Sequence, residues 1–203
     1  MTITEITHER WEQAQDGELV DQLGNLEEWD NSKFYYIRNL MQEFFDIDFE
    51  EDFKDKFIVE VGAGPKGYAL FTEGNFKRCV VIEPLMDRFP EYVKEDYEKM
   101  GCEVYGGAFE HVDYEGIDEI WFFNVLQHVL NPEEQLKKAK ANAKVVRVFE
   151  PINYPANLCH PHVLTAELFT GVFGEDFGTK YVGGSRTNFH TADCYYGTWV
   201  RED

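Results

Sequence analysis

The chain has 203 residues, 43% of them hydrophobic and 16% aromatic, enough for one folded domain with a real core and too apolar for a disordered tail. Its 39 acids against 19 bases give a formal charge of -20; a surface this acidic repels phosphate backbones and anionic lipid, so neither nucleic acid nor a membrane surface is an expected partner. No apolar run approaches the roughly 18 residues of a membrane span, and MTITEITHERWEQ at the N-terminus lacks the basic start and apolar block of a secretory signal.

Residues 1–30 are polar and helix-prone, with Trp11 and Trp29 as the large anchors. They either cap a pocket or pad the fold. Asn31 or Ser32 can cap a helix in which Phe34, Ile37, Leu40, Met41 and Phe44 recur at helical spacing. The acidic, polar stretch DIDFEEDFKDK follows. Residues 57–61 read as a short apolar strand entering a glycine loop, and Pro65 or its successor can open the next helix. Residues 79–82 form a second strand that ends in Glu83-Pro84. A helix beginning near Pro90 runs toward Met100 and stops at Gly101.

Residues 102–105 are a third strand, and 120–123 a fourth whose composition suits burial on both faces. Asn131-Pro132-Glu133-Glu134 opens a helix with an N-cap, a proline at the first helical position and a capping-box acid. Residues 145–149 are the fifth strand, closing at Glu150-Pro151. A short helix follows Thr165. Two strand-like pieces, near 179–182 and 195–201, flank the turn residues Gly183-Gly184-Ser185. Alternating strands and helices predict an α/β fold with a mostly parallel sheet and helices on both sides. The expected division is a helical N-terminal segment, 1–52, and a Rossmann-like domain, 53–203.

The loop Gly62-Ala63-Gly64-Pro65-Lys66-Gly67 spells GxGxxG after a strand. In an open parallel sheet ligands bind beyond the carboxyl ends of the strands, and glycines let the backbone approach them closely. Glu83, 19 positions after Gly64 (83 − 64), ends the second strand, where an acid accepts hydrogen bonds from ribose hydroxyls. NAD and other adenosine ligands satisfy this pattern equally. Glu60 breaks the tie: its carboxylate repels a pyrophosphate, whereas an ammonium gains a charge-assisted hydrogen bond. S-adenosylmethionine carries an adenosine and an ammonium and no phosphate.

EVGAGPKG, followed by VVIEP, GGAFEHV and FFNVLQHVLNPEEQLKKA, resembles the class I S-adenosylmethionine-dependent methyltransferases that act on small molecules. The resemblance runs over residues 57–173 and extends to HPHVLTAELFTGVFG. It implies a Rossmann-like three-layer sandwich: a mostly parallel seven-stranded sheet with a final antiparallel strand and helices on both faces. By the same resemblance Glu60 bears on the methionine amino group. Gly62, Ala63 and Gly64 line the methionine and ribose contact. Glu83 holds the ribose hydroxyls with Pro84 and Leu85 beside the adenine. Ala108 and Phe109 lie under the adenine edge, and Asn124 and Val125 near the sulfur. The chain departs from the family at Gly107, where an acid commonly holds the adenine amino group; Phe109 can stack and Glu110 can substitute.

Methyl transfer from a sulfonium needs a positioned acceptor, exclusion of water and, for a hydroxyl or ammonium acceptor, a general base. His128, in NVLQHV, is one candidate; His160 and His162, in NLCHPH after strand five, are the others. Cys159, His160 and His162 also invite a metal, but with no partner pair elsewhere they make a poor zinc site, and no metal is expected. Arg38 reads as a surface arginine rather than a contact to the cofactor carboxylate. The four cysteines have no CxxC spacing, and a reducing, cytoplasmic compartment is expected. No DPPY or NPPY follows strand four, which with the charge speaks against methylation of nucleic-acid bases. The expected function is therefore methylation of a small-molecule acceptor. An adenosylmethionine-binding module without methyl transfer, another adenosylmethionine chemistry and an NAD-dependent oxidoreductase stand as alternatives, since fold alone does not fix chemistry.

Overall fold

A computed structural model describes residues 6–26, 31–181 and 192–202. The expectations for Trp29, for the side chain of Phe34 and for the 182–185 turn lie outside these residues. Seven strands form one sheet: β1 (Phe57–Val61), β2 (Arg78–Ile82), β3 (Glu103–Tyr105), β4 (Ile117–Phe123), β5 (Ala143–Ile152), β6 (Thr179–Tyr181) and β7 (Asp193–Val200). Their order is β3-β2-β1-β4-β5-β7-β6. The pairings from β3 through β5 are parallel, and β7 runs antiparallel to both β5 and β6. The mostly parallel sheet is the one that the alternation of elements predicts, and the antiparallel final strand is the one that the family resemblance implies.

Helices α2 (Asn31–Phe45) and α3 (Glu91–Lys99) cover one face of the sheet, and α4 (Pro132–Asn142) and α5 (Ala166–Phe173) the other. The two-residue period of β1 divides its side chains between the layers. Val59 and Val61 join the α4–α5 core, and Ile58 joins the α2–α3 core. Glu60 shares the face of Ile58, in register with Val81 and Trp121, which both belong to the α2–α3 core. That parity decides its role below. At the start of α4 the Asn131 side chain accepts the Glu134 amide at 3.2 Å, and Pro132 takes the first helical position, as the sequence predicts.

Two segments differ from the expectation. The acidic stretch after α2 is not uniformly polar in its packing: Phe49 and Phe53 are fully buried and meet the Trp121 ring at 6.0 and 5.0 Å. In this turn segment both rings face the core while Glu51 and Asp52 stay in water. The glycine loop leads into a 3-10 turn, Tyr68–Thr72, in place of the expected α-helix. The amides that a helix would leave open are taken up by side chains there, and Glu73 ends the turn in the left-handed region.

Helix α1 (His8–Asn25) begins at an N-cap, Thr7, whose hydroxyl accepts the Arg10 amide at 3.1 Å. Only Ala14 and Gln15 of this helix are buried among its described side chains, so hydrogen bonds tether it. Arg10 donates to the carbonyls of Asn157 and Leu158 at 2.6 and 2.9 Å, Gln15 to the carbonyl of His128 at 3.2 Å, and Arg88 pairs with Asp16 at 2.8 Å. Gly17 sits where a Cβ would lie 2.9 Å from the Cys159 sulfur. A glycine in mid-helix costs about 1 kcal/mol against alanine, and here it lets the 157–160 loop close on α1.

Candidate active site

A cavity open to solvent lies beyond the carboxyl ends of β1, β2 and β4, with α1 as one wall. Gly62, Gly64, Glu83, Pro84, Leu85, Ala108, Phe109, Asn124, Val125 and His128 all line it, joined by Glu110. Ten residues expected at the site therefore meet in space, drawn from four separate loops.

Three buried carboxylates stand at or near the carboxyl ends of strands, and each holds the amides of a loop at this end of the sheet. Glu60, from β1, accepts the amides of Tyr68 and Ala69, both at 2.7 Å. Glu83, after β2, accepts those of Gly64 at 2.8 Å and Leu85 at 2.9 Å. Glu150, from β5, accepts those of Val125 at 2.9 Å and Leu126 at 3.1 Å. Burial pushes Glu60 and Glu83 up to about 7 and Glu150 up to about 8, while the amide hydrogen bonds pull the other way. Neighbouring charge adds to the first two: Glu83 raises Glu60, and Glu18 raises Glu83.

Glu60 does not line the cavity. It is 1% exposed, and strand parity aims it under the loop, where both oxygens are engaged. Ala63 likewise turns from the cavity and packs against the α2–α3 core. The glycine loop is held from below by Tyr97, on α3, which was not foreseen. Its hydroxyl accepts the Gly67 amide at 2.5 Å and donates to the Gly64 carbonyl at 2.9 Å. A Cβ on Gly67 would lie 2.7 Å from that hydroxyl and from the Ala63 Cβ, so the third glycine is a packing requirement. Gly62, at φ +67°, needs glycine twice over, because a Cβ would lie 1.9 Å from a Val125 methyl.

The histidines separate. His128 Nδ1 lies 3.0 Å from the Cys159 carbonyl, which can only accept, so Nδ1 carries the proton and the neutral ring keeps its lone pair on Nε2. His160 packs edge-on against that ring at 4.6 Å. Asn157 fixes its tautomer: Oδ1 accepts the amides of Cys159 and His160, so Nδ2 donates to His160 Nδ1. His162 is buried away from the cavity and donates from Nε2 to the Val129 carbonyl at 2.8 Å; burial lowers its affinity for a proton. Arg38 pairs with Glu50 at 2.6 Å and has no place in the cavity wall.

Glu18, from α1, brings a carboxylate to His128 and His160, and Asp21 and Cys159 stand beside it. The ring nitrogen that His128 presents to Glu18, at 3.5 Å, is the protonated Nδ1. The cluster is thus hydrogen-bonded in a way that blocks a metal at that nitrogen. Trp11, Gln15, Glu18 and Gln22 complete the cavity wall. Their spacing of four, three and four puts them on one face of α1, a periodicity visible in the sequence but written in polar residues and one indole.

No protein-family model matches the chain, and no curated protein matches it. Solved structures do. The chain is similar to the Burkholderia thailandensis 1,6-didemethyltoxoflavin-N1-methyltransferase, solved with 1,6-didemethyltoxoflavin and S-adenosylhomocysteine: TM-score 0.66, 12% identity, over 99% of this chain and 95% of that one. It is similar to the plantazolicin methyltransferase BpumL, solved with S-adenosylhomocysteine (0.61, 11%, over 95% and 97%). The mitomycin 7-O-methyltransferase MmcR also matches, at 0.60 and 14%, over 95% of this chain and 60% of that one. The chain has the class I S-adenosylmethionine-dependent methyltransferase fold.

Proposed function

We propose that this chain is an S-adenosylmethionine-dependent methyltransferase that methylates oxygen or nitrogen on a small-molecule acceptor. One observation carries the choice of cofactor. Four amides of the glycine loop and the turn after it, a region that in a dinucleotide site would cradle a pyrophosphate, are taken by the protein's own side chains. Gly64 donates to Glu83, Gly67 to Tyr97, and Tyr68 and Ala69 to Glu60. Among the described residues no lysine or arginine lines the cavity to offset phosphate charge. This speaks for an adenosyl ligand without phosphates and against NAD.

The residues fit such a ligand. The glycines at 62 and 64 leave the loop open to close approach, and a Cβ on Gly64 would project toward Gln22 across the cavity wall. Glu83 gives one lone pair on each oxygen to an amide and keeps acceptor capacity for ribose hydroxyls. Ala108 and Phe109, with Pro84 and Leu85, supply an apolar wall for the adenine. Similarity to methyltransferases named for a didemethyltoxoflavin, a plantazolicin and a mitomycin supports a small molecule as the acceptor.

The bound cofactor supplies the electrophilic methyl group on its sulfonium. The chain orients the acceptor and keeps water out, with α1 as the cap of the 53–203 domain. His128 is the proposed general base, its Nε2 lone pair held in place by the Nδ1–H bond to the Cys159 carbonyl. His160 packs against it, and His162 pins the loop that carries both neighbours to the Val129 carbonyl. All four cysteines carry thiols, as suits the cytoplasm, and among the described residues no helix is long and apolar enough to cross a membrane.

Calorimetric titration with S-adenosylmethionine, S-adenosylhomocysteine and NAD tests the cofactor. Micromolar binding of the two adenosyl-sulfur ligands is expected. Binding of NAD alone overturns the proposal. Methyl transfer is then tested with tritiated cofactor against a panel of small hydroxyl and amine acceptors, with His128→Gln expected to slow turnover by about 10²–10⁴-fold while keeping cofactor affinity.

A further inference from the structure

Glu60 stands two residues before the first loop glycine, yet its carboxylate is buried under the loop, on the amides of Tyr68 and Ala69, and does not line the cavity. A cofactor with an amino-acid end still brings an ammonium into the cavity. Among the described residues three carboxylates line that cavity: Glu83, Glu110 and Glu18. Glu83 is committed at the end of β2, next to the wall expected for ribose and adenine. Glu110 follows Phe109, on that same adenine side. Glu18 comes from α1 and lies between the glycine loop and the turn after β4. Its Oε1 accepts from Gln22 Nε2 at 2.6 Å, and Gln22 stands 3.5 Å from the point where a Gly64 Cβ would be. Its Oε2 lies 3.5 Å from His128 Nδ1.

We propose that Glu18, rather than Glu60, is the carboxylate that meets the ammonium of the cofactor, so that α1 is part of the cofactor site and not only its cap. The inference rests on the cofactor assignment above. The inward face of α1 explains itself on this basis. A helix face turned toward a core ordinarily carries apolar residues, whereas Gln15, Glu18 and Gln22 turn hydrogen-bonding side chains toward the cavity. Gln15 is anchored on the His128 carbonyl, and Gln22 orients Glu18. Glu18 and Glu83 also share the cavity as like charges, a repulsion that a bound cation relieves.

The test compares S-adenosylhomocysteine with 5′-methylthioadenosine, which keeps the adenosine and the sulfur and lacks the amino-acid end. Each is titrated calorimetrically into the wild-type chain, Glu18→Gln and Glu60→Gln, with unfolding midpoints measured alongside. Wild type is expected to prefer S-adenosylhomocysteine. Glu18→Gln, with an unchanged midpoint, is expected to weaken that ligand about tenfold while 5′-methylthioadenosine stays within about twofold, the loss of one charge-assisted hydrogen bond. Glu60→Gln is expected to lower the midpoint and keep the wild-type preference. A Glu18→Gln variant that retains the full preference, or weakens both ligands alike, overturns the inference while leaving the cofactor assignment standing. So does loss of the preference in Glu60→Gln alone. Wild-type protein that binds neither ligand overturns the cofactor assignment and the inference with it.

Discussion

Glu83, at the end of β2, accepts the amide of Gly64, in the loop after β1, at 2.8 Å. One carboxylate thus holds the glycine loop in shape and faces the cavity that the loop encloses. Both duties fall on a group that is 5% exposed, so its removal strands two buried amides, those of Gly64 and Leu85.

Glu83→Ala is expected to cost about 1–3 kcal/mol of stability for stranding buried donors and to weaken S-adenosylhomocysteine at least tenfold. Glu83→Gln, which keeps one good acceptor, should fall between wild type and alanine in both respects. Urea unfolding and calorimetry read the two quantities separately. An alanine variant that binds as tightly as wild type removes Glu83 from the site.

The three strand-end carboxylates set the pH dependence of stability. Glu60 and Glu83 are raised to about 7 and Glu150 to about 8, so between the unfolded value and these the folded chain holds protons that the unfolded chain has released. Their contribution to stability is full below the unfolded value and is lost as pH rises through 7 and 8. Glu119 opposes them at lower pH. Burial raises it, but Arg147 and Lys56 outweigh that and hold it below its ordinary value, so its contribution is lost in acid. The unfolding midpoint is expected to fall between about pH 6 and about pH 8.5, and Glu150→Gln to flatten that slope. A midpoint that climbs across this range contradicts the assignment.

Gly62 and Gly64 both have positive φ, +67° and +60°, but only Gly62 has a neighbour in the way. Gly62→Ala combines strain of about 1–3 kcal/mol with a clash against Val125 and is expected to abolish cofactor binding. Gly64→Ala meets Gln22 at an ordinary contact distance and carries the strain alone, so it should be more stable than Gly62→Ala, less stable than wild type, and a weaker binder than wild type. Adding Val125→Ala to Gly62→Ala should recover part of the stability, since it removes the clash and not the strain. Midpoints of the four proteins decide the matter.

At the other end of β4, Glu119 is fully buried. It takes Lys56 at 2.5 Å, Arg147 at 2.8 Å and the Trp121 indole at 3.0 Å. Glu119→Ala strands a buried guanidinium and is expected to cost about 3–5 kcal/mol. Cofactor affinity of the folded fraction should stay within about twofold, because the pair lies near the amino end of the strand, away from the cavity. A large loss of affinity without loss of stability would show that this ion pair acts on the site.

The strands and helices are legible in the residue order. Period-two apolar runs, N-caps such as Asn131 and glycine stops are local, and local chemistry writes them directly into the residue order. Strand ends in a parallel sheet converge at one edge, which brings Gly62 and Glu83 together from the residues alone, whereas Ala108 and Asn124 were placed at the site by the family resemblance. Only the tertiary structure decided which way Glu60 points. Its parity relative to Ile58 is in the sequence, but whether that face carries the cavity or the α2–α3 core depends on how helices cover the sheet. The same holds for Glu150, an acid inside β5 near its carboxyl end, whose task depends on the Val125 and Leu126 amides reaching it. Helix α1 was the least legible part. Its cavity-facing stripe, Trp11, Gln15, Glu18 and Gln22, satisfies a ligand-binding cavity rather than a core. Polar residues that face a ligand look the same in sequence as polar residues that face water.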